Sequence, residues 1–167
     1  MLSNKLIDQL NKQINLEFYS SNLYLQMSAW ASYNGLDGSA GFLRNHAAEE
    51  MDHMHRLFTY VSETGALPLL GSIEAPPTEF DSIHDVFEKI YAHECHVTSE
   101  INHLAECALD EKDFSTFNFL QWYVAEQHEE ERLFKSILDK LRIIGVEGTG
   151  LYHFDQQMAE FTSQSAA

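Results

Sequence analysis

The sequence predicts an all-α fold, with four long helices, one long crossover connection and a short fifth helix towards the C-terminal end. Three observations carry this reading. Apolar residues recur at steps of three and four almost throughout, as in Leu6, Leu10, Ile14, Phe18, Leu25 and Ala29, which is the period of helices with one buried face. No stretch alternates apolar and polar residues as a half-buried strand would. All three prolines, Pro68, Pro76 and Pro77, fall in one connection, residues 66–80.

The first helix covers approximately residues 4–34 and ends at Asn34, Gly35 and Gly38. The second, about 38–64, begins near Asp37 or Ser39 and is closed by Gly65 with Pro68 behind it, since glycine accepts the left-handed turn after a helix and proline cannot continue one. Asp81 and Ser82 supply the cap of a third helix, about 82–109, and Asp113 caps a fourth, about 113–144. Gly145, Gly148 and Gly150 then interrupt the pattern. A short amphipathic helix follows over about 148–161, its apolar period running through 151–161, and the TSQSAA tail reads as frayed. The connection 66–80 reads as extended, and about fifteen extended residues at ~3.3 Å each reach ~50 Å. A helix of about twenty-seven residues is only ~40 Å long. The connection can therefore run the length of the bundle and leave helices two and three parallel. A length of 167 residues suits one domain, 1–167, with one substantial core.

Ten Lys and Arg against twenty-six Asp and Glu give a net charge of −16, which disfavours nucleic acid and anionic membrane as partners and favours cations. The uncharged stretch 18–36 is interrupted by Ser20, Ser21, Asn22, Gln26, Ser28 and Asn34, so it reads as a buried helix rather than a membrane span. The start, MLSNKLIDQLNKQ, has no apolar leader segment, and a reducing cytoplasm is expected. Cys95 and Cys107, ~18 Å apart along one helix, are then free thiols.

Within the second helix His46, Glu49, Glu50 and His53 fall at i, i+3, i+4 and i+7, along one face. Glu50 and His53, one turn apart, can bind a divalent ion together. The fourth helix repeats the spacing with Tyr123, Glu126, Gln127 and Glu130. Gln127 and Glu130 lie 77 positions after Glu50 and His53, and Glu94 lies 77 after Glu17, which points to two-fold pseudosymmetry. Glu17 and Glu94 are each a lone acid among apolar and small residues near the middle of a helix. A buried carboxylate without a partner is expensive, and a metal removes that cost. One Glu from each of two helices with a three-spaced pair from each of two others is the arrangement that holds two iron ions inside a bundle. Tyr24, two turns after Glu17 on the same face, is placed to hydrogen-bond a metal-bound carboxylate or donate an electron. Trp122 is a weaker redox candidate, and core packing is the favoured reading.

The segments NLEFYSSNLYLQMSAW, FLRNHAAEEMDHMHRLF and TFNFLQWYVAEQHEEERLFKSI resemble bacterial non-haem ferritin, and the resemblance continues through GLYHFD. It implies a ferritin-like four-helix bundle with one crossover. Twenty-four subunits are expected in a hollow homo-oligomeric shell, with the short fifth helices meeting around four-fold axes. It also implies ferroxidase activity, with Fe(II) oxidised by O2 or H2O2 and a ferric mineral deposited inside the shell. Glu17, Glu50 and His53 resemble the first iron site, and Glu50, Glu94 and Glu130 the second, with Glu50 bridging. Gln127 takes a lighter part. Bacterioferritins usually carry Glu-x-x-His on the fourth helix, whereas this chain reads Gln127-His128-Glu129-Glu130, so a more loosely held second iron is expected. Glu49, Glu126, Glu129 and Glu130 resemble a third iron site.

Met51 stands where bacterioferritins carry a haem-ligating methionine, but the fourth helix departs from their pattern, and no haem is expected. A haem-containing bacterioferritin is one alternative. A di-iron oxygenase acting on an organic substrate is another, although such enzymes usually need a longer chain. Among the nine histidines, His53 is the expected ligand and His46 a neighbour of Glu49 and Glu50. His93, His96 and His128 are assigned to solvent or subunit contact, because a step of 100° per residue turns them from the acidic face.

Overall fold

A computed structural model describes residues 2–165, with side chains to residue 161. Five helices follow in order: α1 (Asn4–Tyr33), α2 (Asp37–Glu63), α3 (Ile83–Asp110), α4 (Phe114–Ile144) and α5 (Gly148–Ser165). No strand occurs among the described residues. Ser3, Ser82 and Asp113 cap α1, α3 and α4, each accepting a hydrogen bond from a backbone N–H three residues on. The helix α5 corrects the expectation of a frayed tail: it continues through Ser165, and only residues 166–167 of that tail lie outside the described residues.

Helix α1 packs on α2, and α3 packs on α4. Directions follow from paired residues. Ser21 donates to the Ala47 carbonyl and Ser28 to that of Ala40, so α1 and α2 are antiparallel. His46 meets Glu130 while His53 meets Tyr123, which makes α2 antiparallel to α4. Phe87 faces Phe134 while Glu94 faces Gln127, which makes α3 antiparallel to α4 as well. Helices α2 and α3 are therefore parallel, as the crossover requires. Two asparagines of α1 fasten that crossover. Asn11 accepts from Leu69 N–H at 2.8 Å, and Asn15 accepts from Gly71 N–H at 2.7 Å while donating to the Leu69 carbonyl at 2.9 Å. These amides stand in for a strand partner.

The apolar core is divided in two along the bundle. One cluster gathers Leu23, Met27, Ala47, Ile90 and Phe134, and the other Leu10, Ile14, Met54, Val97 and Tyr123. On every long helix the polar residues of interest fall between these clusters: Glu17 between Ile14 and Leu23, Glu50 and His53 between Ala47 and Met54, Glu94 between Ile90 and Val97, and Gln127 and Glu130 between Tyr123 and Phe134. The four helices thus present polar groups at one common depth.

Candidate metal centre

Glu17, Glu50, Glu94 and Glu130 are 1 %, 2 %, 1 % and 6 % exposed. Each occupies a core-facing turn of its helix, where the three- and four-residue period continues but the residue is acidic. Among the described residues, no lysine or arginine forms an ion pair with any of them, and only His46 and His53 approach as bases. Burial raises the Glu17 and Glu50 carboxyls well above their ordinary range, and their neighbouring carboxylates add to it. Burial raises Glu94 as well. Uncompensated buried carboxylates of this kind cost several kcal/mol each, so the centre favours protons or cations.

Two groups bring ligand atoms within 4.8 Å of one another: Glu17 with Glu50 and His53, and His46 with Glu49 and Glu130. The first brings together the three residues expected at the first iron site. His53 Nδ1 lies 3.6 Å from Glu50 Oε2, and Tyr123 donates to the His53 carbonyl at 2.7 Å, fixing that turn of α2 against α4. Glu17 Oε1 accepts from Gln13 Nε2 at 2.8 Å, while Glu17 Oε2 is the one buried side-chain polar atom among the described residues with no hydrogen-bond partner. An orphaned oxygen on Glu17, in a group that also holds the Glu50 carboxylate and the His53 imidazole, fits a hard or borderline divalent cation such as Fe(II).

Glu50, Glu94 and Glu130 share the polar layer without forming a third such group. Glu94 accepts from Tyr24 Oη and, at 2.9 Å, from Gln127 Nε2. Gln127 therefore holds a carboxylate in place. Burial and the adjacent Glu94 raise the Tyr24 phenol well above its ordinary value, so it remains a neutral donor. Glu130 turns to His46, whose Nε2 lies 3.1 Å from Glu130 Oε2 and whose Nδ1 lies 3.7 Å from Glu49 Oε2. Burial alone would lower the His46 pKa, but its hydrogen bond to Glu130 and the nearby carboxylates outweigh burial, and the pKa is raised.

The four acids expected at a third site do not converge equally. Glu49 and Glu130 meet through His46, Glu126 Oε1 lies 3.9 Å from His53 Nε2, and Glu129 is exposed. His93, assigned to solvent or subunit contact, instead packs against α1 of its own subunit. Its Nε2 is 2.7 Å from Ser20 Oγ, its ring packs edge-on against Tyr19 and Tyr24, and burial lowers its pKa to about 4. Step angle turned it away from Glu94 correctly, but only packing shows that this direction meets α1. His96 and His128 are exposed. Met51 is half-buried and packs against the core cluster below the polar layer. Gln13 and Ser20 were missed in sequence, although an amide one turn before the lone Glu17 was a usable signal.

The model of the ferritin-like domain matches residues 7–144. The chain is 54 % identical over 165 residues to a probable bacterial non-heme ferritin-like protein of Haemophilus influenzae, covering 99 % of this chain and 100 % of that one. It is 52 % identical over 165 residues to bacterial non-heme ferritin of Escherichia coli, with the same coverage. The open-pore ferritin of the archaeon Archaeoglobus fulgidus superposes with a TM-score of 0.93 at 44 % identity, over 95 % of this chain and 98 % of that one. The chain belongs to the ferritin family, among the bacterial non-haem ferritins. Its function at family level is iron storage, and its buried carboxylate and imidazole groups are of the kind that hold iron. No helix among the described residues is long and apolar enough to cross a membrane.

Proposed function

We propose that this chain is a ferroxidase subunit that oxidises Fe(II) with O2 or H2O2 within its own bundle. Iron is substrate and stored product, collected as ferric mineral inside a hollow shell of twenty-four copies, in the cytoplasm. The observation that carries this reading is the orphaned Glu17 Oε2 in a layer of four buried acids with no lysine or arginine partner among the described residues. Glu17, Glu50 and His53 hold the first ion. Glu50, Glu94 and Glu130 hold the second, which requires Glu130 to swing from His46 towards Glu94. Gln127 and Tyr24 orient Glu94 by donating to its two oxygens. Glu49, Glu126, Glu129 and Glu130 serve a third ion while Glu130 is turned to His46, which then adds a nitrogen donor between Glu49 and Glu130.

The chemistry assigned to these residues is simple. Carboxylates stabilise the higher metal charge that follows oxidation, and a single firm nitrogen donor leaves positions open to the oxidant. Tyr24, neutral and hydrogen-bonded to Glu94, is placed to give up one electron to the same oxidant, O2 or H2O2, while its proton passes to that carboxylate.

The test is anaerobic loading of the metal-free protein with Fe(II), followed by O2, with absorbance recorded in time and particle size measured on the same sample. A fast phase ending at two to three iron per chain, then slow accumulation of many more in a large particle, is expected. Saturation without further uptake in a small oligomer would overturn storage, and a wild-type initial rate in Glu17→Ala or Glu94→Ala would overturn the site.

A further inference from the structure

We propose that Gln13 is a positioning residue for metal capture, setting which oxygen of Glu17 meets the ion. This rests on the reading of Glu17 as a ligand. Gln13 lies one turn before Glu17 on α1 and is 4 % exposed. Its Nε2 donates to Glu17 Oε1 at 2.8 Å, and Glu17 Oε2 receives no hydrogen bond from an amide, hydroxyl or imidazole; the Glu17 and Glu50 carboxyls hydrogen-bond one another only when one of them is protonated. Glu50 and His53 each offer an atom within 4.8 Å of the ligating oxygen of Glu17. The carboxylate is therefore divided: one oxygen is held by the protein and the other is left for an ion.

The residue type is decisive. A carboxylate free to rotate about its last torsion offers either oxygen or both, and ordering it when the ion arrives costs free energy. The amide does that ordering in advance. A lysine at 13 would pair with Glu17 and neutralise the charge that attracts the cation. A glutamate would add repulsion, and an asparagine is one methylene shorter. A neutral donor with the reach of glutamine pins the acid without competing for the site. Gln13 also lines a recess of about 240 Å³ between α1 and α3, together with Lys12, Leu16, His96 and Glu100. Through its amide, that recess is one hydrogen bond from the ligand acid.

The experiment uses the assembled, metal-free full chain with Co(II) as probe under anaerobic conditions. Visible absorption reports binding, and competition with a chelator gives affinity. Gln13→Met keeps the volume and removes the donor. A hydrogen bond to a charged group contributes enough for the first cobalt to bind about tenfold more weakly, while particle size and cobalt binding at the remaining positions are unchanged. In a Glu17→Gln background, adding Gln13→Met is expected to change the residual cobalt binding no further, because Gln13 acts through Glu17. Parental affinity in Gln13→Met, or an equal loss with and without Glu17, would overturn the positioning role. Parental affinity in Glu17→Gln alone would instead remove Glu17 from the site, overturning the proposed centre and this inference with it.

Discussion

Asp155 of α5 caps the N-terminus of α2. Its Oδ2 accepts from Gly38 N–H at 2.9 Å, and its Oδ1 accepts from Ser39 N–H and Ser39 Oγ, both at 2.8 Å. Leu36, at the local cap position, has no side chain able to do this, so a residue 117 positions beyond Gly38 takes the role. The orphan amides and the positive end of the helix dipole both favour a carboxylate there. Asp155→Ala is expected to cost about 1–2 kcal/mol and to raise hydrogen exchange in α5 before the rest of the bundle. Gly38 has the same origin: a Cβ there would stand 1.9 Å from the Asp155 carbonyl oxygen. Gly38→Ala should therefore loosen α5 more than Asp155→Asn does, measured by the same exchange experiment.

The raised carboxyls of Glu17, Glu50 and Glu94 give the metal-free protein a definite pH dependence. The folded state keeps protons that the unfolded chain releases above the ordinary value of 4.5. The folded state therefore loses stability from these groups as pH rises from that value towards their raised folded values. Glu17→Gln, which carries no titrating group, should flatten that slope in chemical denaturation curves recorded at several pH values. Metal binding runs oppositely, because ligation needs the deprotonated acids, and proton release should accompany Co(II) addition in weakly buffered solution.

Tyr24→Phe removes the phenolic donor to Glu94 and leaves a buried carboxylate with Gln127 as its remaining side-chain donor. A loss of about 1–3 kcal/mol is expected, together with slower iron oxidation at unchanged anaerobic Fe(II) stoichiometry. Denaturant melts and stopped-flow absorbance check the two halves separately.

Leu10→Ala opens a cavity in the cluster below the polar layer, where Leu10 is fully buried. It should cost about 2–5 kcal/mol and leave Co(II) affinity unaltered, since the proposed metal ligands lie in the layer between the two clusters. A matching loss of affinity would mean that packing at Leu10 sets the height of Glu17.

Asn11 and Asn15 tie the crossover to α1 through backbone groups of Leu67, Leu69 and Gly71. Replacing both with alanine should make residues 66–80 the first site of limited proteolysis, with the helices intact by circular dichroism.

The sequence by itself determined the helices and the layer of acids, because both follow from a period of 3.6 residues per turn. Caps at Ser82 and Asp113, the breaks at Gly65 and Gly145, and the shared face of Glu50 and His53 are local facts of the chain. Glu17 and Glu94 were legible because a lone acid on the buried face of an apolar helix is too costly to keep unless something compensates its charge. Tertiary structure alone decided the partners. That Glu130 turns to His46, that His93 is enclosed by Ser20, Tyr19 and Tyr24, and that Asp155 caps α2 all depend on which helix lies opposite. Spacing gives the direction of a side chain from its own axis, whereas hydrogen bonding across a bundle depends on the offset and distance between axes, which packing of the two apolar clusters sets.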